Sequence, residues 1–237
     1  MIGVGSNDQG QVLKVGAVIS AVGRPHDLIK RALHGLGQDN ATEITTFTDG
    51  DKMLRGYLKK AGIAAAPILD WQHLSRRVQV AKITAKGLRC LTNAERRARP
   101  LIAKALDSLH WKLWHGNING ARQAMTRVFK LLQAFDIDRT RATTALAAKR
   151  LRTAMGKLRD YIEGQSAHLV NYGLRHRQGR SIGTSTTKGL ANALVNQRMN
   201  KLQQIRWSAK GANAVITIRA YHFNAIDGAT TAQTVAA

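Results

Sequence analysis

The pattern of apolar and polar residues alternates between strand and helix signals in the first part of the chain. Apolar, β-branched stretches predict strands at Gln11–Ser20, Glu43–Phe47 and Ala66–Leu69. Pro25 is placed to open a helix through HDLIKRALHGL, and DKMLRGYLKKAG predicts a second, short helix. Strands separated by helices favour a mainly parallel sheet, so this part of the chain predicts an α/β arrangement.

Helix signals then follow one another through the middle of the chain, without strand signals between them. Four helices are predicted, at Trp71–Leu88, after the capping box of Thr92 and Glu95, after Asn119, and from Arg139 to about Ile162. This block is expected to be all-helical and either inserted into the α/β core or appended to it.

The last part of the chain is irregular before helix signals return. Glycines interrupt it at Gly173, Gly179 and Gly183, and a helix is predicted near Thr187–Met199. The segment that begins at Ser208 and contains NAVITIRAYHF has the propensity of a strand but also fits a helix capped by Ser208. The residues alone leave both structures open.

The composition is that of a folded protein with an extreme charge. At 237 residues and 44% hydrophobic content, the chain is able to bury a core. Its 37 Lys and Arg against 14 Asp and Glu give a net charge of +23, which attracts polyanions and makes nucleic acid the leading partner.

No apolar run approaches the roughly 20 residues of a membrane span, and the start MIGVGSNDQG lacks the features of a signal peptide, so we expect a cytoplasmic protein. Cys90, the single cysteine, excludes an internal disulfide and is best explained as a small buried hydrophobe.

The cations are concentrated in the later half of the chain. From Arg139 to Lys210 there are fifteen Lys or Arg and two acids, Asp160 and Glu163. Solvated helix faces explain part of this excess, but a surface selected for solubility alone carries charges of both signs. We therefore expect a basic face in this half.

Because acids are few, the two that follow predicted strands are informative. Asp49 lies in FTDGD and Asp70 in ILDWQH, each directly after a strand. Open α/β sheets place their functional sites at these carboxyl ends. The alternative is structural, since Asp-Gly is a common turn dipeptide and Asp70 is also placed to cap the helix that begins at Trp71. His73 follows Asp70 by three positions, close enough for contact at a helix start.

Five strings in the sequence resemble one family. They are a strand ending in TDG, a second strand ending in Asp-x-x-His 21 positions later, WKLWHGN, LVNYGLRHRQG and NQRMNKLQQIRWSAKGA. Together they resemble bacterial insertion-sequence transposases of the DDE class, over roughly Gln11–Phe223. The resemblance implies an RNase H-like core, a helical insertion after the Asp-x-x-His helix, and a closing helix at Ser208–Phe223.

The resemblance also implies a metal site and assigns residues to it. Such transposases use three carboxylates to hold two Mg²⁺ ions, which flank the reacting phosphate. Asp49 matches the second carboxylate, and Asp70 and His73 match a (C/D)-x-x-H motif that supports the site. The third carboxylate is a glutamate in the first turn of a helix, and Lys188 aligns with it. The strand with the first carboxylate is expected to be missing from this chain, with Asp8 as the one candidate replacement, so we expect Mg²⁺ not to bind tightly.

The expected fold class is α/β, helix-rich overall, with a partial RNase H-like core. Residues 1–75 are expected to form part of that core and 76–166 the helical insertion. Residues 167–225 are expected to complete the core with the Lys188 helix, and 226–237 to form a frayed tail.

The leading functional hypothesis is a catalytically inactive remnant of a transposase that still binds DNA in the bacterial cytoplasm, at the nucleoid. The alternatives are a non-enzymatic DNA-binding regulator on the same scaffold and an active metal-dependent transposase or nuclease. Besides DNA, the candidate partners are an intact transposase and a second copy of the chain. The expected DNA contacts are Arg198, Lys201, Arg206 and Lys210, with Trp207 either stacking on a base or packing into the core.

Overall fold

A computed structural model describes residues 1–16, 24–39, 41–135, 142–184, 189, 195 and 207–226. The chain divides into two compact units, which are described separately below. Unit 1 comprises Met1–Pro67 and Thr184–Ala237, and unit 2 comprises Ile68–Gly183. Unit 2 therefore includes residues on both sides of the predicted insertion, 76–166.

Unit 1 begins with an antiparallel hairpin. Strand β1 (Ile2–Ser6) pairs with β2 (Val12–Gly16) in a register that places Ile2 opposite Gly16. β1 was not predicted. The parallel sheet was predicted for strands separated by helices, and this hairpin instead joins two consecutive strands in antiparallel order. The physical reason is the connection, because five residues close a hairpin but are too few for the crossover that parallel strands require.

Helices cover the hairpin in unit 1. Helix α1 (Pro25–Gly35) begins with the predicted proline, buries Leu28 and Ala32, and packs against β2. Helix α2 (Lys52–Lys60) packs against α1. The segment after Ser208 is a helix, named here α8 (Ala209–Ile226), and it also packs against β2. The Ser208 hydroxyl accepts a hydrogen bond from the backbone N–H of Gly211 at 3.1 Å, as expected of a helix cap.

Two further strands are shorter than predicted. β3 (Phe47–Thr48) lies in unit 1 and contains only the end of the predicted Glu43–Phe47 strand. β4 (Ile68–Leu69) opens unit 2, and Pro67, which has no backbone N–H to donate, precedes it.

Unit 2 is a bundle of helices with one continuous core. The packed pairs are α3 with α4 and α6, and α5 with α4 and α6. Buried apolar residues recur at helical spacing, as in Leu74, Val78, Ala81 and Ala85 on α3. The helices are α3 (Trp71–Lys86), α4 (Asn93–Trp114), α5 (Ile118–Leu132), α6 (Ala142–Gly164) and α7 (Tyr172–Arg177), with short 3₁₀ turns at Gln133–Phe135 and Ser166–His168.

The helix boundaries of unit 2 follow the sequence signals closely. The capping box before α4 is present, because the Thr92 hydroxyl accepts from the Glu95 N–H at 3.2 Å and the Glu95 carboxylate accepts from the Thr92 N–H at 2.8 Å. α5 begins one residue before Asn119, with Asn117 as its cap. α7 was not predicted. The predicted helix at Thr187–Met199 lies outside the described residues, apart from two isolated positions.

The described chain is therefore helix-rich with small sheets. Within the ranges given above, none of the helices combines the length and the apolar composition that a membrane crossing requires.

Candidate functional site around Asp70

Asp70 is fully buried at the point where β4 passes into α3. Its carboxylate Oδ1 accepts hydrogen bonds from the backbone N–H groups of Gln72, at 2.6 Å, and His73, at 3.4 Å. A negative charge at the N-terminus of a helix is stabilised by the aligned peptide dipoles. Asp70 thus has the capping role that the sequence left open as the structural alternative.

A second segment of unit 2 closes over this carboxylate. The backbone N–H of Trp71 donates to the carbonyl of Ile182 at 3.1 Å, which brings the chain at Gly183 against the start of α3. A Cβ atom at Gly183 would lie only 2.6 Å from Asp70 Oδ1. Glycine is required there because any larger residue would displace the carboxylate.

Aromatic rings pack around the residue that follows Asp70. The Trp71 ring lies 5.2 Å from His110, 4.9 Å from Trp114 and 5.0 Å from Tyr172, measured between ring centroids. The buried Tyr172 hydroxyl donates to the Leu69 carbonyl at 2.8 Å, just before the end of β4. Burial, the largest cause, raises the pKa of Tyr172 well above its ordinary value, so the hydroxyl remains a donor at neutral pH.

The two strings WKLWHGN and LVNYGLRHRQG meet in this cluster. Gly116, with φ +69°, lies against the backbone of Val170 and Asn171, where a Cβ would be 3.0 Å from three backbone atoms. At Gly173, a Cβ would be 2.6 Å from the indole nitrogen of Trp114. Both glycines therefore allow close packing between the end of α4 and the start of α7.

The histidines near Asp70 differ in their surroundings. His73 is partly buried, and the hydrogen bond described above joins Asp70 to its backbone rather than to its ring. Burial lowers the pKa of His110, Lys82 lowers it further, and Asp107 opposes this shift. The neutral form of His110 is accordingly favoured beside Trp71.

Asp49 lies in unit 1 and is exposed in the turn after β3. Its Oδ1 accepts from the Asp51 backbone N–H at 3.2 Å across Gly50, which has φ +102°. Asp51, which sequence reasoning did not single out, caps α2 by accepting from the N–H groups of Met53 and Leu54 at 2.7 and 3.2 Å. The Asp-x-Asp spacing before a helix is the signal that identifies this cap.

The structure describes three of the remaining predicted site residues: Trp207, Lys210 and Asp8. Trp207 is partly buried, and its indole nitrogen is buried without a hydrogen-bond partner among the described residues, which favours packing over base stacking. Lys210 is exposed in the first turn of α8, and Asp8 is exposed in the turn of the hairpin. Four residues lie outside the described part of the chain: Lys188, Arg198, Lys201 and Arg206.

Metal-binding side chains do not cluster in the part of the chain that the structure describes, where no three His, Cys, Asp or Glu residues come together. Among the described residues, Asp49 contacts the turn after β3 and Asp70 caps α3. The mutual arrangement of Asp49 and Lys188 stays a prediction.

Tyr172 and Gly183 are the residues around Asp70 that sequence reasoning missed. The signal in the sequence that could have identified them is the string LVNYGLRHRQG, which contains Tyr172 and ends four residues before Gly183.

Comparison with protein-family models, with curated proteins and with solved structures finds no match to this chain.

Proposed function

We propose that this protein binds DNA through the cationic surface of unit 2, and that it derives from an insertion-sequence transposase whose cleavage activity it has lost. The observation that carries the DNA-binding proposal is the charge balance of unit 2. Residues 68–183 hold 23 Lys or Arg and seven Asp or Glu.

The acids of unit 2 neutralise only a few of these cations at the surface. Asp70 and Glu95 are buried as helix-capping groups. The exposed acids have cationic partners: Asp107 with Lys82 at 2.7 Å, Asp160 with Arg159 at 3.3 Å and Glu163 with Arg122 at 2.6 Å. Asp136 and Asp138 lie outside the described residues. A surface with so many unneutralised cations attracts phosphate backbones.

The proposed loss of cleavage rests on the resemblance and on Lys188. A cation at the position of a metal-binding glutamate repels a divalent ion instead of holding it. At about 4 Å and an effective dielectric of ~20, each unit-charge interaction is worth about 4 kcal/mol, so the change of sign opposes metal binding strongly. The exposed position of Asp8 in a hairpin turn gives no support for a replacement first carboxylate.

The experiment is a titration of labelled duplex DNA with the full chain at about 50 and 200 mM salt. We expect affinity to fall at least tenfold at the higher salt, because binding releases counterions from the DNA. We also expect unrelated duplex sequences to bind with similar affinity, because phosphate contacts carry no sequence information. Absence of binding at low salt, or an affinity independent of salt, would contradict the proposal.

A further inference from the structure

A groove of about 460 Å³ lies on the surface of unit 2 between α3 and α6. It is separate from the surroundings of Asp70. The described residues that line it combine apolar side chains with four cations, and none of them is an acid. The lining residues on α6 recur at helical spacing, from Leu146 to Leu158, which corresponds to about 18 Å of helix.

Two of the apolar residues that line this groove are exposed, whereas Leu158 at its floor belongs to the buried core. Val80 on α3 is 51% exposed and Leu146 on α6 is 47% exposed. Ile83, one turn after Val80 on α3, is 58% exposed. Adjacent exposed apolar side chains of this size typically mark a surface that a partner covers.

The cations flank these apolar residues. Lys149, Arg150 and Lys157 are exposed on α6, and Arg77 faces them from α3. The Arg77 guanidinium lies 3.9 Å from the centre of the Tyr161 ring, a cation–π contact that holds it in place. The groove thus combines an apolar strip with positive charge from both helices.

This combination distinguishes between possible occupants. A DNA backbone would neutralise the cations but would leave Val80 and Leu146 against phosphate and sugar, with little apolar surface to cover them. A second copy of the chain would supply few acids, since the whole sequence contains only 14. An acidic amphipathic helix satisfies both features, because its apolar face covers the strip while flanking carboxylates meet the cations.

We propose that the α3–α6 groove binds an acidic amphipathic helix of a partner protein. The apolar anchors of that helix contact Val80 and Leu146, and its carboxylates pair with Lys149, Arg150 and Lys157. The length of the groove suits a helix of about 12 residues, which presents three or four anchors at i, i+3, i+4 and i+7.

The test uses the full chain and a fluorescent 18-residue peptide of Leu, Glu and Ala, with Leu placed at helical spacing. A peptide of identical composition in scrambled order is the matched probe. Fluorescence anisotropy at about 0.15 M salt is expected to show at least tenfold tighter binding of the ordered peptide. Equal affinity for the two peptides would overturn the proposal, because it would show charge attraction alone.

Substitutions in the chain test whether the peptide binds in the α3–α6 groove. Val80→Ser and Leu146→Ser are each expected to weaken binding of the ordered peptide about fivefold, and Lys149→Glu to weaken it by a similar factor. The controls are Ile218→Ser, an apolar side chain on α8 that is 69% exposed, and Lys130→Glu, an exposed cation on α5. Neither control is expected to change the affinity.

Parallel titrations with duplex DNA separate the two kinds of partner. Val80→Ser and Leu146→Ser are expected to leave DNA affinity unchanged. If they weaken DNA binding and leave peptide binding intact, the groove is a DNA site and the proposal is wrong. Circular dichroism checks that each variant folds, and if one serine variant unfolds, the other decides between the two partners.

Discussion

At the scale of single residues, Asp70 shows what the sequence could and could not predict. Its place directly after a strand and before a helix predicted either a functional carboxylate or a cap, and the structure shows a cap. Gly183 lies against its carboxylate and Ile182 bonds to the neighbouring Trp71, and both come more than a hundred positions later. Local spacing carries no information on such a distant segment, so the burial of Asp70 could not be predicted.

Tyr172 provides a test of the packing beside Asp70. We expect Tyr172→Phe to lower the free energy of unfolding by about 1–3 kcal/mol, because the Leu69 carbonyl loses its buried donor. Urea denaturation at pH 7 measures this, with the exposed Tyr221→Phe as a control that should stay within about 0.5 kcal/mol of the parent chain.

The same hydroxyl predicts a pH dependence. The pKa of Tyr172 is raised in the folded state, so the unfolded chain loses this proton first, as pH rises past the ordinary value of 10.0. Its contribution to stability is therefore complete below pH 10 and declines above it. The stability difference between the parent chain and Tyr172→Phe should shrink as pH rises from 9 to 11, and a constant difference would contradict the burial of this hydroxyl.

At the scale of helices and strands, elements with strong local signals were predicted, whereas β1 and α7 were not. The capping box fixed the start of α4, and Pro25 fixed the start of α1. α7 has six residues, two of them Gly173 and the buried Tyr172, and its local signal is the cap Asn171, which accepts from the Leu174 N–H at 2.9 Å. Its position is set by contact with Trp114, which is a tertiary interaction.

Two glycines inside helices test whether the contact with Trp114 positions α7. Both Gly173 in α7 and Gly156 in α6 lie inside helices, where alanine is intrinsically favoured by about 0.5–1 kcal/mol. A Cβ at Gly156 meets no atom within 4 Å, whereas one at Gly173 lies 2.6 Å from Trp114. We expect Gly156→Ala to stabilise the chain and Gly173→Ala to destabilise it by about 1–3 kcal/mol, measured by urea denaturation. Equal effects of the two changes would show that α7 does not pack closely on α4.

At the scale of the whole molecule, the net charge can be read directly from the composition, whereas the pairing of strands cannot. The net charge of +23 follows from counting residues, and it favours a polyanionic partner without any knowledge of the fold. The alternation of strand and helix signals did not predict the β1–β2 hairpin, because its first strand, β1, was not recognised in the sequence. The RNase H-like core stays a prediction that rests on the resemblance.

The proposed loss of cleavage gives the last prediction. We expect the chain neither to bind Mn²⁺ tightly nor to nick DNA, and Lys188→Glu to increase Mn²⁺ affinity without restoring nicking. The reason is the number of carboxylates, since the substitution replaces a repulsive charge with a ligand but leaves the new glutamate with Asp49 alone, where the family uses three. Calorimetric titration with Mn²⁺ and a plasmid-nicking assay measure the two effects. Lys130→Glu, which makes the same charge change at an exposed site on α5, should alter neither. Nicking by the unaltered chain that Asp49→Ala abolishes would show instead that the protein is an active nuclease with Asp49 in its catalytic site.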